Sequence, residues 1–192
     1  MRIESDGEIL VRSEMMFSGY YKDPEKTAEV MRDGWLLTGD LGELDADGFL
    51  KITGRKKELI VLSTGKNVAP ALVENMIKEH HLVSHAYVHG DGRSYLVALV
   101  TLNPQEAEEH ARALNLRSGG LAELAASEEF RRLVSDIVES ANRRVSSSES
   151  VKKFVILGRD FKPELDEVTP TLKLKRDVVA RNFADVLRRL YE

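Results

Sequence analysis

The 192 residues contain no cysteine, which excludes a disulfide framework, thiolate metal sites and cysteine nucleophiles. An excess of basic charge is missing as well. Lys and Arg total 28 against 32 Asp and Glu, a net charge of −4, so no positive field recruits nucleic acid and none is expected as a partner. No apolar run approaches the length of a membrane span, and the opening MRIESDGEIL lacks the apolar core of a signal peptide. These absences lead to the expectation of a soluble, cytoplasmic protein without a transmembrane segment. Internal repeats and low-complexity stretches are absent too. What remains is 42% hydrophobic and 31% charged, enough for one large or two small domains.

The order of elements is mixed. Asp6-Gly7 signals a turn before GEILVRS, whose alternation of Ile9 and Val11 with polar neighbours suits a half-buried strand. Asp23 is placed to cap a short helix with Pro24 at its first position. WLLTGDLGEL and FLKITG read as two strands joined by the Asp45-Ala46-Asp47-Gly48 turn. After Gly54, ELIVLS reads as a short strand and STGKN as a polar loop, and Pro70 opens a helix to about His80 with Leu72, Val73, Met76 and Ile77 on one side. Strands are predicted at 82–89 and 94–102, helices at 104–115 and 128–146, a strand at KKFVILG, and one amphipathic helix over RDVVARNFADVLRRLY. The fold class is therefore α/β (α+β), with a β-rich piece over 1–56 and an α+β domain over 57–192. The first piece is too small and strand-poor to bury a core comfortably by itself.

Three segments carry chemistry. GEILVRSEMMFSGYYKDPEKT leads into DGWLLTGDLG, with Thr38, Gly39 and Asp40; GRKKELIVLSTGKNVAP occupies 54–70; EVTPTLKLKR occupies 167–176. In this order and at this spacing they resemble the carboxyl-terminal part of the adenylate-forming (AMP-binding) enzymes, in the variant spelling of long-chain fatty acid–CoA ligases. The helical stretch between 103 and 146 also looks like that class. The resemblance covers essentially the whole chain. It implies an ATP-dependent ligase that converts a fatty acid to acyl-AMP and then to a thioester with CoA. It also implies that the Ser/Thr/Gly-rich loop gripping the ATP phosphates, and most of the acyl pocket, belong to an upstream adenylation domain missing here, so that the chain alone is inactive.

By the same resemblance Asp40 takes hydrogen bonds from the ribose hydroxyls, as an acceptor-only carboxylate can, and Arg55 is a second nucleotide contact. Lys57 stands at the hinge about which the terminal domain swings between adenylating and thioesterifying poses. In the second pose Gly65 would let pantetheine pass close to the backbone and Lys66 would meet a phosphate. Lys173 aligns with the family's catalytic lysine, whose ammonium bridges the carboxylate and the α-phosphate. Leu172 stands where many members carry glycine, and the nearby Lys175 leaves the register open. Magnesium is expected with ATP, its ligands drawn largely from the phosphates and the upstream part, with no metal site in this chain.

Two other patterns fail on inspection. Gly65-Lys66 is not a Walker A loop, because Ile60 and Asn67 stand where glycine and a hydroxyl residue are required. His81, His85 and His89 have helical metal-site spacing but lie in a stretch that reads as a strand, where they are too far apart to chelate. Two further functions stay open: a non-catalytic lid or interaction module that docks on a separate adenylating core, and an adenylate-forming enzyme for another carboxylic acid.

Overall fold

The computed structural model describes residues 1–116 and 119–192. The chain divides into two units, Met1–Leu59 and Ile60–Glu192. In the first, strands β1 (Arg2–Ile3) and β2 (Glu8–Val11) precede helix α1 (Pro24–Val30), and β3 (Met31–Arg32), β4 (Trp35–Leu44) and β5 (Leu50–Arg55) follow. Asp23 caps α1 as its sequence position requires, its side chain accepting from the Lys26 amide at 2.9 Å. The β4–β5 turn is equally local in origin: the Asp45 carboxylate accepts from the amides of Asp47 and Phe49 at 3.0 and 2.8 Å.

β4 organises this unit, with β2 antiparallel along one edge and β3 and β5 antiparallel along the other. Its register against β2 jumps between Leu37↔Leu10 and Leu41↔Glu8. Thr38, Gly39 and Asp40 therefore form a bulge, with Gly39 at φ +70, and bulges re-aim the side chains that follow them. The core is small, built on Ile9, Leu10 and Leu41. The expected in-and-out alternation of β2 does not hold, because Glu8 is buried beside Ile9 and Leu10.

A single turn of 3-10 helix at Lys56–Glu58 lies at the end of the first unit, and the second opens with a two-residue strand, β6 (Ile60–Val61), where a longer strand was expected. β7 (Asn67–Val68) pairs with β6, and α2 (Pro70–Lys78) follows. β8 (Val83–His89), β9 (Leu96–Leu102), α3 (Pro104–Ala113), α4 (Leu121–Ala126), α5 (Glu128–Asn142), β10 (Val151–Ile156), α6 (Arg176–Asn182) and α7 (Ala184–Arg189) complete it. β9 is the middle strand, antiparallel to β8 and parallel to β10. All seven of its residues are buried, as a strand covered on both faces must be. Leu96, Ala98, Val100 and Leu102 pack in the cluster that also holds α2, α3 and α5 side chains. Val97 and Leu99 pack in the cluster under α6 and α7.

Three helical expectations are corrected. α4 went unpredicted because its six residues bury only Leu124 and give no periodic stripe. α5 ends at Asn142 rather than 146, where the Asn142 side chain turns away to bond both the amide and the carbonyl of Val151 at 2.8 and 2.9 Å. The final helix is two, α6 and α7, divided at Phe183, whose φ −113 and ψ 21 leave the helical region. Phe183 packs edge-on against Phe161, ring centroids 5.8 Å apart, and this tertiary contact accompanies the break.

A polar cluster joins β8 and β9 to the chain just after β10. Asp160 accepts hydrogen bonds from Ser84, His85 Nδ1 (3.0 Å) and Thr101 Oγ1 (2.6 Å). Burial alone pushes this carboxyl up, but the three donors together outweigh it and bring the pKa from 3.8 down to about 2. A carboxyl whose folded pKa is depressed stabilises the fold above its unfolded pKa and ceases to do so as pH falls through the folded one. Unfolding free energy is therefore expected to drop by about 2 kcal/mol between roughly pH 4.5 and pH 2 on account of this group. Urea titrations across that window should show the loss, and Asp160→Asn should flatten it.

Candidate functional site

Asp40 and Arg55 face each other across β4 and β5. Arg55 Nε lies 2.9 Å from Asp40 Oδ1, and both side chains reach solvent, Arg55 more than Asp40. The bulge that aims Asp40 is held from beneath. Thr38 Oγ1 donates to the Ile9 carbonyl at 2.7 Å and accepts from the Asp40 amide at 3.1 Å. Glu8 Oε1 accepts from the Gly39 amide at 3.1 Å, and Glu8 Oε2 takes Lys56 Nζ at 2.8 Å. Lys56 also reaches Asp6 at 2.6 Å, and this pairing lowers the Asp6 pKa and raises that of Lys56. Sequence reasoning missed Glu8 and Lys56. The signal available was only a glutamate in an apolar strand, and its burial depends on a partner 48 residues away.

Lys57 occupies the 3-10 turn Lys56–Glu58, immediately before the division between Leu59 and Ile60. Beyond it, β6 and β7 are joined by a tight loop closed by the Leu62 amide on the Lys66 carbonyl (2.9 Å) and the Gly65 amide on the Leu62 carbonyl (2.8 Å). Gly65 sits at φ +77, a conformation side chains resist, while nothing lies within 4 Å of where a Cβ would be. The glycine thus serves the turn and leaves its outer face open. Lys66 is exposed.

Lys173 stands in a five-residue turn. Val168 bridges Leu174 in antiparallel register, the Thr169 amide donates to the Lys173 carbonyl at 2.8 Å, and the Lys173 amide donates to Thr169 Oγ1 at 3.0 Å. The two lysines left open by the sequence differ sharply in surroundings. Lys175 is ion-paired with Asp166, whereas Lys173 is exposed and its ammonium has no partner among the described residues. Leu172 lies at φ +59, the left-handed region that glycine enters freely and leucine does not. A residue position that favours glycine therefore directly precedes Lys173. Because the Leu172 side chain is largely exposed, Leu172→Gly is expected to stabilise the second unit, by up to about 1 kcal/mol. Leu172→Ile should destabilise it, since branching at Cβ resists this conformation further. Urea unfolding of the two variants checks both signs.

Ion pairs to buried carboxylates root the segment around Lys173. Arg159 reaches both oxygens of the fully buried Glu167 carboxylate, at 2.7 and 2.7 Å. Arg176 bonds Glu74 Oε1 and the Val88 carbonyl, each at 2.7 Å, with its guanidinium 4.8 Å above the Tyr87 ring.

Asp40, Arg55 and Lys57 thus lie in the first unit, and Gly65, Lys66 and Lys173 in the second. Among the described residues no three His, Asp or Glu side chains come together as a metal site. The described residues therefore offer no donor set that fits a resident magnesium. Of the three spaced histidines, His85 and His89 fall in β8, with His85 bound to Asp160.

Residues 57–192 match the family model of the AMP-binding enzyme C-terminal domain, and the chain belongs to that family. Over its whole length it is 46% identical to the long-chain-fatty-acid–CoA ligase FadD15 of Mycobacterium tuberculosis, covering 32% of that protein. It is 38% identical to the putative fatty-acid–CoA ligase fadD11 of the same species, with 99% of this chain aligned to 34% of the relative. The chain thus spans about a third of the length of the curated relatives it matches. Among solved structures, the A domain of carboxylic acid reductase from Segniliparus rugosus, in complex with AMP and a co-purified carboxylic acid, superposes with a TM-score of 0.76. That match has 30% identity and covers 96% of this chain and 28% of the other.

Proposed function

We propose that this chain works as the carboxyl-terminal part of an ATP-dependent ligase that joins a long-chain fatty acid to CoA. In the first step the fatty acid carboxylate attacks the α-phosphate of ATP, forming acyl-AMP and releasing pyrophosphate. In the second the CoA thiol attacks the acyl carbonyl carbon, the thioester forms, and AMP leaves. The partner is an upstream adenylating core that supplies the phosphate loop and the acyl pocket. The cytoplasm, where ATP and CoA are both available, is the compartment we assign to it.

Asp40 accepts hydrogen bonds from the ribose hydroxyls, and Arg55, already beside it, completes the nucleotide contact. Lys173 places its ammonium between the incoming carboxylate and the α-phosphate, where negative charge concentrates as the P–O bond forms. Lys57 is the pivot, in a short turn whose torsions can change without breaking core packing. Gly65 keeps the β6–β7 loop open to pantetheine, with Lys66 meeting a phosphate. The observation that carries the reading is the contrast between the two lysines of the terminal motif: one committed to Asp166, the other exposed where the turn closes on Thr169, its ammonium without a partner among the described residues.

The test is an ATP–pyrophosphate exchange assay with palmitate. The 192-residue chain alone should give none, because the loop that cradles the triphosphate belongs to the upstream core. The longer ligase that carries it should exchange and form palmitoyl-CoA, and Asp40→Ala should raise its KM for ATP. Exchange by the isolated chain, or no acyl-CoA from the longer enzyme, would overturn the proposal.

A further inference from the structure

The lysine motif explains Lys173 but not Thr169, which is bonded directly to its backbone. Thr169 makes three hydrogen bonds with backbone groups of the turn: its amide to the Lys173 carbonyl, its carbonyl from the Leu172 amide at 2.8 Å, and its hydroxyl from the Lys173 amide at 3.0 Å. Thr171 Oγ1 lies 3.0 Å from the same hydroxyl. That hydroxyl is the side-chain group that bonds the Lys173 backbone among the described residues. One step further down, the Lys175 amide donates to the Glu167 carbonyl at 2.9 Å, so Glu167 is the foot of the stem. Its carboxylate is fully buried, and four donors meet it: two from Arg159, Asn182 Nδ2 at 3.1 Å and the Lys162 amide at 3.1 Å. A buried carboxylate is tolerated only when its oxygens are satisfied in this way, and the arrangement is then rigid.

A lysine side chain is long and flexible, so its ammonium reaches one phosphate oxygen reproducibly only if the Cα is held first. We propose that Thr169 is a positioning residue for Lys173. Its hydroxyl holds the Lys173 amide against the left-handed Leu172, and the Glu167 carboxylate anchors the segment that leads into Thr169. This role rests on the adenylating role assigned to Lys173 above.

The test uses the full-length ligase that carries this chain, with Thr169→Val, Thr169→Ser, Glu167→Gln and Lys173→Ala assayed side by side. Valine keeps the shape and removes the hydrogen-bonding hydroxyl; serine restores it. Thr169→Val should lower kcat for ATP–pyrophosphate exchange about tenfold, the effect of one lost hydrogen bond, leave KM for ATP and fatty acid unchanged, and spare thioester formation from supplied acyl-AMP. Thr169→Ser should return the rate to near wild type, and Glu167→Gln should show the same split between half-reactions. In the 192-residue chain, amide exchange at Lys173 should quicken with valine and not with serine. If Lys173→Ala is crippled while Thr169→Val matches wild type, the positioning role is wrong. Equal loss of both half-reactions in Thr169→Val would show a merely structural role and also overturn it. If Lys173→Ala itself matches wild type, the assignment of Lys173 fails first and the positioning role falls with it.

Discussion

Lys173→Ala is expected to slow adenylation by about a hundred- to a thousandfold in the ligase that carries this chain, the range seen when one preorganised charge-stabilising contact is removed from a water-poor site. Thioester formation from supplied acyl-AMP should stay close to wild type. The split follows from what the ammonium does. In the proposed role it acts on charge that develops at the α-phosphate, whereas in the second step the phosphate is the leaving group and the reacting centre is a carbonyl carbon. An interaction made in one transition state only lowers the rate of that step only. Lys175→Ala is the internal control. It removes an exposed ion pair with Asp166, and such pairs contribute about 0–1 kcal/mol, so both half-reactions should survive. The reverse pattern, with Lys175→Ala crippled and Lys173→Ala active, would shift the motif by two residues.

Phe130→Ala should destabilise the second unit by about 3–5 kcal/mol. The Phe130 ring is fully buried in the cluster that joins α2, α3 and α5 to one face of β9. The amide of the same residue donates to the Ser127 side chain that caps α5, so the ring sits in the first turn of a helix that cannot slide to fill the space. Domains of this kind are stable by roughly 5–15 kcal/mol in all, and the loss is a large share of that. Urea unfolding measures it, with Leu165→Ala as the comparison. Leu165 is half-exposed, and truncating it should change stability by less than about 0.5 kcal/mol. Comparable losses in the two variants would mean that the α5 contact is not the packing core of this unit.

Elements whose causes are local were legible in the sequence. Asp23 before Pro24 and the Asp45 turn specify their structures within a few residues, and β8 and β9 announce themselves as apolar runs around Gly90-Asp91-Gly92. What could not be read depends on partners distant in the chain. Glu8 reads as an outward polar residue until Lys56 and the Gly39 amide come to it. The break at Phe183 has no glycine or proline to mark it and coincides with a contact to Phe161. For the candidate site, the motif named Asp40, Arg55 and Lys173 without saying what surrounds them. The difference between Lys173 and Lys175 lies in Asp166 and in the torsion of Leu172, neither of which a motif spelling carries.

The parallel pairing of β10 with β9 has a bearing on how the second unit forms. β8 and β9 are neighbours in sequence and can zip as a hairpin early, because little chain must be closed to bring them together. β10 cannot join until the whole of 103–150 has been spanned, and the elements that follow it, α6, α7 and the Lys173 turn, build their cluster on β9 and β10. The end of the chain that carries the Lys173 turn is thus the last part that the folding order can complete. A chain stalled before that closure has its hairpin and first helices but presents the bare face of β9 and an unpaired strand edge, the surface from which aggregation starts.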